Sequence, residues 1–143
     1  MIKIEVFDIR DVGKILDYVH DRVFQLEDIS FDKENAILTI PITVISDSIM
    51  DQKSYLFCST WKNPIVKSQL AIKNVTNFAV KDEAQIGGAG INTITTEDGA
   101  VVIKCSAPIE LRAAVLSVGL ELTLSENIVG KVSQFSLGSP PRK

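Results

Sequence analysis

The distribution of β-branched side chains constrains this chain more than any other feature. Ile, Val and Thr make up 40 of its 143 residues, and side chains of this kind are stiff at χ1 and fit a pleated surface. They also fall in period two. Leu38, Ile40, Ile42 and Val44 alternate with Thr39, Pro41 and Thr43, which puts one apolar and one polar face on a strand. Ile29 and Phe31 come before them across Asp32-Lys33-Glu34-Asn35, a polar stretch that reads as a hairpin turn. Pro41 has no amide to donate, so that strand belongs at a sheet edge or carries a bulge.

Further along, the polar residues 46–48 and 51–54 read as a loop, and residues 55–61 as a strand that stops before Asn63-Pro64. Leu70, Ile72 and Val75 mark a strand, which residues 78–80 extend or follow with another. Glu97-Asp98-Gly99 between two β-branched runs is a hairpin signal, the Asp-Gly pair being its strongest part. Leu116, Val118, Leu120, Leu122 and Leu124 alternate with smaller or polar residues, and the segment 111–124 reads as one long strand bent at Gly119.

One segment follows a different period. Ile9, Val12, Ile15, Leu16 and Val19 form a single apolar stripe at helical spacing. Asp8 stands where it can cap the first turn, and Phe7 and Val12 have the spacing of a hydrophobic staple. The expected fold is therefore α+β and mostly antiparallel β, with about seven or eight strands in a sandwich or strongly twisted sheet and one amphipathic helix near residues 8–20. An all-β sandwich is the alternative. The length suits one domain over residues 1–135, and Ser136 to Lys143, which has no periodicity, reads as a flexible tail.

Composition narrows the function classes. Mean hydropathy is +0.20, and the apolar runs fall far short of the roughly 20 residues that cross a bilayer. Charges at Lys3, Glu5 and Asp8 interrupt the first residues, so no secretory leader is expected and the chain reads as soluble and cytoplasmic, of a bacterial type. Two cysteines 47 positions apart and one histidine are too few for a zinc site. Cys58 and Cys105 read as reduced thiols inside strands. Residues 1–60 hold 6 basic and 11 acidic side chains, a balance that disfavours nucleic acid and would attract a basic partner.

The candidate chemistry is sparse. His20-Asp21 resembles a base with its orienting carboxylate, but neighbouring helix residues point about 100° apart, and a histidine near a helix C-terminus commonly meets the last carbonyls. Gly87-Gly88-Ala89-Gly90 suggests a phosphate loop, yet the strand pattern of residues 91–96 follows where a helix should open. It reads instead as a flexible connection. Asp47 with Asp51, and Glu97 with Asp98, are turn formers rather than a calcium site. Tyr55 and Trp61 have the large amphipathic rings favoured at interfaces. Together these residues suggest a non-catalytic protein-binding or accessory module, of inhibitor or immunity type or an assembly subunit. Its interaction candidates are His20, Asp21, Arg22, Tyr55 and Trp61, and its partner is a protein or a second copy, with no cofactor, metal, nucleic acid or membrane. The alternative is an enzyme or small-ligand protein with a helix-sheet pocket near His20.

Overall fold

In the computed structural model, which describes residues 1–137, eleven strands form two antiparallel sheets. The first sheet has the order β1 (Ile2–Val6), β11 (Leu120–Leu137), β6 (Cys58–Ile72), β4 (Ile37–Ile45), β3 (Ser30–Asp32), and β5 (Met50–Ser54) pairs with the far end of β6. The second has the order β2 (Val23–Gln25), β8 (Gly88–Glu97), β9 (Ala100–Cys105), β10 (Ile109–Val115), β7 (Val75–Asp82). A single α-helix, α1 (Gly13–Val19), packs against β1 and β4 of the first sheet and β8 of the second. It closes the sandwich with Ile15 and Val19, both fully buried.

The period-two pattern becomes rows of side chains across the first sheet. Val6, Leu120, Ile72 and Leu38 stand opposite one another on four successive strands, as do Ile4, Leu122, Leu70 and Ile40. Opposite residues share a face, and against this face lie Ile91, Ile103 and Leu111 of the second sheet, in one core cluster.

The expected helix is split: a 3-10 turn comes first, and α1 starts only at Gly13, with Val12 at its N-cap and no side-chain cap. Asp8 caps the 3-10 turn (Ile9–Asp11) by accepting from the Arg10 amide at 2.9 Å, and the Arg10 guanidinium holds its carboxyl down at about 2. Phe7, however, is exposed, and no staple fixes the entry. Gly13 opens α1 instead of lying inside it, so it carries little of the helix-interior penalty.

Several expectations need correction. Ile2–Val6 is a strand, beyond those that the sequence pattern predicts. Residues 50–54 are strand and not loop. The strand expected to end before Pro64 runs through it to Ile72, because Pro64 falls in the gap between the last β4 pair (Ile45 with Ile65) and the first β5 pair (Met50 with Lys62). Its carbonyl faces that gap and accepts from Ser46 N at 2.8 Å, and a strand residue presents N–H and C=O to the same side. The donor that proline lacks is therefore one that no strand needs.

Residues 111–124 form two strands, not one: β10 ends at Val115 in the second sheet and β11 starts at Leu120 in the first. Gly88-Ala89-Gly90 is strand as well, paired with β2. A side chain on Gly88 would come within 2.8 Å of the Phe24 carbonyl oxygen, so this pairing requires glycine. The Asp98-Gly99 turn is as expected, with both residues at positive φ. Pro41 lies beyond the three residues of β3, where the outer side of β4 has no strand partner among the described residues. Of the expected tail, Ser136 and Leu137 belong to β11, and residues 138–143 lie outside the described residues.

Candidate functional site

The two candidate groups sit in different places. His20 caps α1, with its amide bonded to Leu16 O at 2.8 Å. Asp21 then takes a positive φ of 62°, which turns the chain from the helix into β2, and its amide donates to Ile91 O at 2.8 Å. Gly90 permits that approach, since a side chain there would meet the Asp21 carbonyl at 3.3 Å. The helix has ended by then, so the objection from helical geometry lapses. His20 Nδ1 lies 3.3 Å from Asp21 Oδ2, with both side chains more than half exposed. Arg22 points inward and donates from Nε to Thr43 O at 2.8 Å and from Nη2 to Thr43 Oγ1 at 3.0 Å. The three residues form a joint that pins the helix exit to both sheets.

A cavity of about 680 Å³ opens beside this joint, with Val23, Phe24, Pro41 and Ile42 on its apolar side and Gln25, Asp28 and Lys67 on its polar side. His20 is not among its lining residues. Nor are the glycine-loop amides free to cradle an anion: Asp82 accepts from Ile86 N at 3.0 Å and Gly87 N at 2.8 Å. Asp47 accepts from the Tyr18 hydroxyl at 2.7 Å, which raises that phenol to about 12. Glu97 pairs with Arg112 and Asp51 with Lys131. Among the described residues no three His, Cys, Asp or Glu side chains gather where they could hold a metal, and no helix is long and apolar enough to cross a membrane.

Tyr55 and Trp61 belong to the second place. β6 and β11 continue past the sandwich core, and with β5 they make a three-stranded arm of residues 50–64 and 128–137. At its end the turn Tyr55-Leu56-Phe57 links β5 to β6, closed by Tyr55 N donating to Cys58 O at 2.7 Å. These three side chains are 59, 87 and 77% exposed. The register sets Leu137 beside Cys58 and Phe135 beside Thr60, which brings two more exposed apolar groups to the same end. Tyr55 and Trp61 both border one open groove of about 590 Å³, with Thr60, Lys62, Ser133 and Phe135.

The arm also differs in charge. It carries Lys53, Lys62 and Lys131 against a single acid, Asp51, whereas the remaining described residues hold 10 basic and 17 acidic side chains. Lys131 Nζ lies 3.1 Å from Asp51 Oδ2 and holds that carboxyl below its ordinary range. Leu56, Phe57, Phe135 and Leu137 were not singled out from the sequence. The available signal was Tyr55-Leu56-Phe57 itself, three consecutive apolar residues between polar strand ends, a run that an exposed turn does not need for folding. Comparison with known protein families, curated proteins and solved structures finds no match.

Proposed function

We propose that this protein is a non-catalytic protein-binding module and that the tip of the arm is its contact surface. The observation that carries the reading is the exposed apolar turn Tyr55-Leu56-Phe57 at the end of the three-stranded arm. Exposing large apolar groups gains the isolated chain nothing, and such a patch is favourable only when covered. Lys53, Lys62 and Lys131 behind the tip give the partner a chemistry: an apolar hollow with an acidic rim. The test is affinity capture from native lysate with the wild-type chain and with Leu56→Asp in parallel. A protein retained by the first and lost by the second is expected, whereas identical captures would refute the assignment of the tip.

A second reading is supported by the cavity beside β2, whose mixed lining suits a small molecule. In that case a ligand would raise the melting temperature of the wild type and not of a variant that fills the cavity.

A further inference from the structure

β11 has strands on both sides only over Leu120–Leu124, where β1 runs along it. From Ile128 onward β6 covers one side, and no strand lies along the other among the described residues. After an irregularity between Ile128 and Gly130, the ladder to β6 runs unbroken from Gly130 to Leu137, about 27 Å of regular edge. Along such an edge, outward main-chain N–H and C=O groups form a template for another strand.

Among the described residues the other edges of the fold are short, charged or interrupted: β1 has five residues, Lys3 and Glu5 among them, and the side of β4 beyond β3 carries Pro41 and gives its Thr43 carbonyl to Arg22. β2 and β3 have three residues each. β5 is short, irregular in register, and carries Asp51 and Lys53. β7 is long, but it carries Lys81 and Asp82 at its end, and its Phe78 ring meets Phe31 of β3 edge to face, with centroids 5.4 Å apart. Over its regular stretch, β11 carries one charge, Lys131, already paired with Asp51, and no proline. Apart from that paired lysine, none of the usual devices guards it.

We propose that the occupant of this edge is a second copy of the chain, with β11 pairing antiparallel to β11 about a two-fold axis at Ser133. Two-fold pairing makes a single edge its own complement, because the same row of donors and acceptors meets itself reversed. The axis at Ser133 uses Gly130 to Ser136 of the regular stretch. It places Lys131 across from Phe135 of the other copy, stem and ammonium against a ring, and keeps the two lysines apart. Val132 then lies across from Gln134 of the other copy. The two first sheets merge into one continuous sheet, and the tips remain free, so this inference does not rest on the proposed function.

Sedimentation velocity on the full chain at micromolar concentration tests it, with a dimer expected. Phe135→Lys would set the introduced lysine against Lys131 of the other copy at both ends of the pairing and raise the dissociation constant at least about tenfold. Ser133→Cys in a Cys58→Ser background should form an intermolecular disulfide on mild oxidation, since a residue on the axis faces itself within disulfide range. Thr95→Cys, on β8, should not. Leu56→Asp should leave the dimer intact, which separates this surface from the tip. A chain that stays monomeric, a dimer unaffected by Phe135→Lys, or one broken by Ala79→Lys on β7 would overturn the proposal.

Discussion

The two halves of β6 make the same backbone serve opposite purposes. Within the sandwich, Val66, Leu70 and Ile72 turn one face of the strand into the core and are at most 5% exposed. On the arm, the register continues that face as Lys62 and Thr60, with Lys131, Ser133 and Phe135 beside them on β11. Only the first half has a second sheet opposite. Hydrophobic alternation thus records where a partner layer lies, not where a strand is, and a strand can outrun its core if its ladder to neighbouring strands is kept.

This contrast is testable. The largest effect is expected from Leu70→Ala, which empties a fully buried site at the centre of a four-residue row and should cost about 2–5 kcal/mol in denaturant unfolding. Phe57→Ala removes a larger side chain from the tip and should change stability by no more than about 0.5 kcal/mol. Comparable losses would mean that the arm is part of the core.

The cysteines sharpen the same comparison. Cys105 is buried in the body, and burial pushes its thiol up to about 11, whereas Cys58 stands half-buried at the base of the tip. Both were expected to face inward. Without denaturant, a thiol reagent should therefore label Cys58 first, by a factor of about ten or more given how little thiolate a raised pKa leaves at neutral pH. Equal rates would remove the distinction.

The smallest effect is electrostatic. Lys73 Nζ lies 2.7 Å from Glu121 Oε2, which lowers the Glu121 carboxyl and raises the Lys73 ammonium from their ordinary values. A carboxyl lowered on folding contributes stability above its unfolded pKa, near 4.5, and the contribution fades as pH falls through the lower folded value. Glu121→Gln should flatten that acid limb and leave the melting temperature at pH 9 less affected than the loss of any core residue.

The sandwich was legible where side chains reported burial directly: Leu38 to Val44, the Asp98-Gly99 hairpin and the stripe from Ile9 to Val19. β1 escaped because Lys3 and Glu5 alternate with Ile2, Ile4 and Val6 at the very start, where the charges spoke first about targeting. Pro64 and Gly88 misled for a shared reason. Each looks like a stop in isolation, and each is admitted by a neighbour, a gap between strands in one case and a close carbonyl in the other. The run from Leu111 to Leu124 keeps its alternation while changing sheets, and period two carries no mark of which sheet it serves. Tyr55 and Trp61 could be picked by residue type. That they share an arm with Phe135 depends on a pairing between segments more than seventy positions apart, which no local pattern encodes.

The position of β11 also governs when the molecule can form. It lies between β1 and β6, so the strand begun at Ile2 has no partner until synthesis has passed Leu120. On the ribosome, Ile4 and Val6 must wait until Leu120 and Leu122 have been made, and the arm, whose third strand is the end of β11, completes only after that. Closing so long a loop is slow, and until then β6 shows an unpaired flank to every other nascent chain nearby.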